Sequence, residues 1–181
     1  MYCPTELHDK TSAHSDLDQL KAAWQSIYQK TKHIGLPYKV SFSGGEVTAN
    51  RSFLPMIRYL RNGEFDMAQI LVSTNGSASL NYYKKLAEVV DAISFSVHGE
   101  FIQEKIFFDK ILQINQLMVR PKKSLHVDIM DEFWNQDRIG LYRSWCKVHD
   151  ISHSVNRIDY QHVIQNKTYP ILKGAYDLDT I

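Results

Sequence analysis

Four clusters of small and polar residues in this chain could do chemistry, and each closes a β-branched or aromatic run. The first, Ser43-Gly44-Gly45-Glu46, follows Tyr38-Lys39-Val40-Ser41-Phe42. Paired glycines permit positive φ and let a ligand approach without meeting a Cβ, and Glu46 adds an acceptor-only carboxylate beside that gap. Such a gap suits a bound amine; equally, the tetrapeptide reads as a strand-to-helix turn with Glu46 near a helix start, where the dipole favours a carboxylate. The second cluster is Ser73-Thr74-Asn75-Gly76, whose Asn-Gly is also an ordinary turn dipeptide. The third is Ser96-Val97-His98-Gly99-Glu100. The fourth comprises Asp128 and Asp131, with His126 sharing a face with Asp128, and Asp159 closes a last run. Ser96 and His98 alternate with apolar neighbours and are expected on one face at a strand end.

The runs that carry these clusters alternate with amphipathic stretches. Leu17, Leu20, Ala23, Trp24, Ile27 and Tyr28 recur at helical spacing, which predicts a helix from Asp16 to about Lys30 capped by Ser15 or Asp16 and stopped by Gly35-Leu36-Pro37. Strands are predicted at 38–43, 68–74, 92–97, 125–130 and 154–160, and further helices near 53–61, 79–89, 104–118 and 138–148. The strand ends are spaced by a strand plus a crossover helix, which implies a parallel sheet. Open doubly wound and barrel closures both satisfy that alternation, and both place ligands at the carboxyl ends of the strands.

Bulk properties narrow the function classes. A chain of 181 residues with 44% hydrophobic residues can bury one sizeable core. The formal net charge of +1 gives no electrostatic case for nucleic acid or an anionic membrane. Apolar runs are too short to span a bilayer, and Met1 to Glu6 lacks the pattern of a signal peptide, so a cytoplasmic location is expected. Two cysteines, Cys3 and Cys146, fit a reduced compartment better than a disulfide framework. The phosphate-loop, dinucleotide, nucleophile-elbow and paired zinc-ligand motifs are missing. His149 and His153 are spaced by four but flank a strand entry, which argues against a joint metal site.

Taken in order, Ser43 to Glu46, Ser73 to Gly76 and Asp91 to His98 resemble the strand-end motifs of the radical S-adenosylmethionine (radical SAM) superfamily. In that family successive strands end in Gly-Gly-Glu, in Thr-Asn-Gly and in an Ile-x-x-Ser-type run. Tyr2-Cys3-Pro4 looks like the end of the family's C-x-x-x-C-x-x-C loop. The resemblance extends from Cys3 to about Asp159. It implies an α/β fold, a partial (β/α)6 TIM-like barrel with parallel strands, here without its first strand. It also implies a single domain over 1–181, with 1–15 a remnant of the cluster loop, 16–160 the β/α repeats and 161–181 a tail.

The implied cofactors are a 4Fe-4S cluster, with Cys3 as a metal ligand, and S-adenosylmethionine. By resemblance Gly44, Gly45 and Glu46 would bind the methionyl amine, and Ser96 would face the ribose or carboxylate, with Asn75 in the same region. The implied activity is reductive cleavage of S-adenosylmethionine and hydrogen abstraction from a small-molecule or protein substrate. An electron donor such as flavodoxin or ferredoxin would serve it. The chain carries one of the three thiolates that a cluster needs, because Cys146 lies in a helical run that reads as a packed face. It therefore reads as N-terminally truncated and inactive as it stands. The alternative is a cluster-free S-adenosylmethionine-binding or regulatory α/β protein.

Overall fold

A computed structural model describes residues 14–99, 102–118, 123–131, 136–157, 163–164 and 167–168. Its first element is helix α1 (Leu17–Thr31), started by a capping box: Gln19 N donates to Asp16 Oδ1 at 2.8 Å, and Asp16 N donates to Gln19 Oε1 at 3.0 Å. Gly35, at φ 69, turns the chain into strand β1 (Tyr38–Phe42). Then follow α2 (Phe53–Asn62), β2 (Met67–Thr74), α3 (Leu80–Val89), β3 (Ala92–Val97), α4 (Glu104–Met118), β4 (Ser124–Asp131), α5 (Gln136–Val148) and β5 (Ser152–Arg157). Every element of the predicted alternation is present, within a few residues of its expected ends. The last strand begins at Ser152 and is described to Arg157, and Asp159 lies outside the described residues.

The sheet runs β1-β2-β3-β4-β5 in sequence order, and β1 to β4 pair in parallel. Register divides it into two unlike faces. On one face lie Tyr38, Val40 and Phe42, then Ile70, Val72 and Thr74, then Ile93, Phe95 and Val97, then Leu125, Val127 and Ile129. Those of β2 to β4 are buried, and the helices pack against this face. Trp24 of α1 meets Tyr38 edge-on, Phe53 of α2 meets Phe42, and Phe95 sits between Tyr83 of α3 and Phe107 of α4. Tyr142 of α5 joins the same core through Phe108. Each such side chain contributes about 1.5–3 kcal/mol on burial.

The opposite face carries Lys39 and Ser41, then Gln69, Leu71 and Ser73, then Ser94 and Ser96, then His126, Asp128 and Met130. These residues are exposed or half-buried. Parallel sheets usually have both faces covered by apolar contacts, so a polar, part-open face is the unusual feature of this fold. Below the site, Asp91 ties the sheet together. Its carboxylate accepts from Ile70 N at 2.7 Å and pairs with Arg61, while its carbonyl accepts from Ser124 N at 2.9 Å.

Residues 14–156 form one compact unit, and the chain beyond it belongs to a second. Within the second unit, β6 (Val163–Ile164) and β7 (Lys167–Thr168) form an antiparallel pair. Among the described residues no helix is long and apolar enough to cross a membrane.

Candidate functional site

Strand β1 delivers Ser43 to Glu46 to the carboxyl end of the sheet. Gly44 and Gly45 both take positive φ, 87° and 46°. A Cβ built on either would meet nothing within 4 Å, so backbone geometry rather than crowding demands glycine, and open space lies beside both. Glu46 then caps a short 3-10 turn, Val47–Ala49. Its Oε1 accepts from Thr48 N at 3.0 Å, Thr48 Oγ1 at 2.5 Å and Thr74 Oγ1 at 2.7 Å. Its Oε2 accepts from Asn75 N at 2.7 Å. The carboxylate therefore fastens the end of β1 to the end of β2. Oε1 is filled by three donors, whereas Oε2 keeps acceptor capacity.

Thr74 is the buried centre of this junction, 3% exposed. Its one proton goes to Glu46, so it accepts from Tyr83 Oη at 2.8 Å and from Gly76 N at 3.2 Å. Burial pushes the Tyr83 phenol above its ordinary pKa, which keeps it a donor. Asn75 is exposed and its Oδ1 accepts from Ser77 N at 2.9 Å, a local turn. Gly76 is constrained twice: its φ is 75°, and a Cβ there would fall 2.4 Å from Phe107 Cε2. Lys110 Nζ donates to the carbonyls of Gly76 and Ala78, each at 2.7 Å. Beside this turn opens a cleft of about 370 Å³ lined by Asn75, Ser77, His98, Ile102, Gln103 and Phe107, among others. Burial lowers the His98 pKa and favours its neutral form.

Ser96 lies on the polar face, with Asp128 as its register partner across β3 and β4. Asp128 collects Ser94 Oγ on Oδ2, and Ser154 Oγ at 2.6 Å and Asn156 Nδ2 at 2.8 Å on Oδ1. His126 stands next to it, its Nδ1 2.9 Å from Ser152 Oγ and its Nε2 3.2 Å from Ser154 Oγ. Burial pushes the Asp128 carboxyl up, but the Ser154 and Ser94 hydrogen bonds, His126 and Asn156 outweigh it, leaving the pKa below the ordinary value.

The expected site residues thus divide. Glu46 and Asn75 are brought together by a direct bond, and Gly44 and Gly45 stand beside them as the two residues before Glu46. Ser96 belongs with Asp128 on the polar face, and His98 lines the cleft beside α4. Cys3 lies outside the described residues. Cys146 is fully buried, and burial pushes its thiol up to about 11, so it is a packed core residue. His149 lies tilted against Trp145 and His153 Nδ1 lies 3.2 Å from the Ile151 carbonyl, so the two serve separate contacts. Among the described residues no group of three or more His, Cys, Asp or Glu could hold a metal ion. Sequence reasoning did not single out Tyr83, Ser94, Lys110, Ser152, Ser154 or Asn156. The period-2 row Ser152, Ser154, Asn156 was the one available signal for a polar face on β5.

No family model and no curated protein matches this sequence. Among solved structures the chain is similar in fold to SuiB of Streptococcus suis, with a TM-score of 0.61 and 14% sequence identity. The match covers 88% of this chain and spans 37% of the length of that structure. At that identity the likeness concerns the fold alone.

Proposed function

We propose that residues 14–157 form the S-adenosylmethionine-positioning part of a radical SAM enzyme domain, curled as a partial (β/α)6 barrel. Sequential strand order with every helix on one face is what right-handed crossovers give when a sheet curls one way instead of reversing. The polar face would then line the interior. The observation that carries the reading is the Glu46 junction: an acceptor with spare capacity on Oε2 beside two open glycines at a strand carboxyl end. There the methionyl ammonium would donate to Oε2. Ser96, on the neighbouring face, would meet the ribose or carboxylate.

The described residues do not fit a 4Fe-4S cluster, since they offer no grouped ligands and their cysteine is buried. Ligation falls to Cys3, outside them, with further thiolates. When bound and reduced, the cofactor pair supplies hydrogen-atom abstraction. This chain's own residues bind and orient the sulfonium and keep water from it. An electron donor such as flavodoxin or ferredoxin is part of the proposal. A second reading, a cluster-free S-adenosylmethionine-binding or regulatory protein, is favoured by that same lack of ligands.

Equilibrium dialysis with labelled S-adenosylmethionine tests both, on this chain as it stands and, after anaerobic reconstitution with iron and sulfide, on a form whose N-terminus carries the two remaining thiolates. We expect saturable binding that Glu46→Gln weakens about tenfold, the loss of about 1.4 kcal/mol. Binding that needs reconstitution supports the enzyme, and equal binding without iron supports the regulatory protein. No binding under either condition overturns both.

A further inference from the structure

The polar face of the sheet carries a second centre, on β4 and β5, away from the Glu46 junction. Donor chemistry fixes the direction of each bond in it. Asp128 accepts only, so Ser154 uses its one proton on Asp128 Oδ1 at 2.6 Å. Facing His126 Nε2 at 3.2 Å, the same hydroxyl oxygen can then only accept, and Nε2 carries the imidazole proton. In the neutral form of the ring this leaves a bare lone pair at Nδ1, 2.9 Å from Ser152 Oγ, which then donates to it. The chain runs Ser152, His126, Ser154, Asp128, Ser94, anchored at its inner end by a carboxylate and ending outward in an acceptor nitrogen.

The network is open to a ligand rather than sealed in the core. Here the His126 side chain is 35% exposed and that of Asp128 22%, while Ser152 and Asn156 are exposed. The surrounding surface is rich in hydroxyls, with Ser94 from β3 and Ser152 and Ser154 from β5. An apolar partner would strip water from these groups and offer no hydrogen bond in return, whereas a ligand bearing several hydroxyls can both donate to and accept from them.

We propose that this face is a binding subsite for a polyhydroxylated ligand, in which His126 Nδ1 accepts a ligand hydroxyl in place of Ser152. Asp128, through Ser154 and through its own Oδ1 3.5 Å from His126 Nε2, is the positioning residue that holds the imidazole in its accepting tautomer. Asn156 and the serines supply the flanking bonds. The subsite stands on its own geometry and does not depend on what binds at Glu46.

Nitrogen-15 NMR of histidine-labelled protein, titrated with myo-inositol to tens of millimolar, tests the assignment. In the free protein Nε2 is expected protonated and Nδ1 bare, and myo-inositol should move the Nδ1 resonance saturably. Ser152→Ala frees Nδ1 and should tighten the probe several-fold. Asp128→Asn lets the tautomer relax and should weaken it about tenfold, with Ser154→Ala as a second variant should Asp128→Asn fail to give a native amide spectrum. A purely structural network predicts no such opposition of sign. A protonated Nδ1, no saturable shift, or two variants that move affinity in the same direction overturns the proposal.

Discussion

Asp128 shows how single side chains divide between stability and binding. Its pKa is held below the ordinary carboxylate value, so its contribution to stability is complete above the unfolded value of about 3.9. That contribution is lost as pH falls through the lower folded value, because the unfolded state then binds the proton first. Asp128→Asn should cost about 1–3 kcal/mol at neutral pH by weakening charge-assisted hydrogen bonds. Urea denaturation of both proteins across pH should show the gap closing as the parent carboxylate protonates. A gap that stays constant down to pH 2 would mean that the interactions do not depend on charge. Glu46 is the contrasting case: it was legible as an isolated carboxylate after two glycines, but none of its four donors lies in that tetrapeptide. Thr74 and Asn75 lie 28 and 29 residues away, and Thr48 reaches it through both backbone and side chain. Long-range pairing of that kind is set by strand register, which single-sequence periodicity does not encode.

Elements were more legible than contacts. Helix α1 follows from an apolar repeat and a capping box, and β3 from an alternating run with turn signals on either side. What periodicity left undecided was which strand face the helices cover, because the β3 run Ala92-Ile93-Ser94-Phe95-Ser96-Val97 mixes buried and half-buried positions. Turns follow the same division. Gly44 and Gly76 both take positive φ, but only Gly76 is pressed against another element. Gly44→Ala should cost about 1–2 kcal/mol of backbone strain. Gly76→Ala adds a clash with Phe107 on α4, and its loss should exceed that of Gly44→Ala by about 1–3 kcal/mol. Thermal or urea melts of the two variants side by side give the difference. Equal losses would show that Phe107 yields without cost, leaving the Lys110 bonds to Gly76 and Ala78 as the hold of α4 on the β2 turn.

At the scale of the molecule, one apolar core reaches from Trp24 on α1 to Ile151 before β5, and it lies on one side of the sheet. Its continuity follows from sequential strand order: each crossover adds a helix beside the last, so α3 touches α4 and α1 touches α2 without a gap. Residues 14–156 should therefore unfold as one cooperative unit, even though the opposite face carries polar groups and few apolar contacts. Phe95 sits at the middle of this core, fully buried between Tyr83 and Phe107. Phe95→Ala removes both ring contacts and leaves a cavity, at an expected cost of about 3–5 kcal/mol. Trp24 and Trp145 lie toward opposite ends of the core, on α1 and α5. Fluorescence of each, with the other tryptophans replaced by phenylalanine, should report the same denaturant midpoint as far-UV dichroism in the parent. In Phe95→Ala all three midpoints should fall together. If the α1 and α5 transitions separate instead, the core is two weakly coupled halves, and a site spanning β1 to β5 would lack the rigid frame that both proposed ligand sites require.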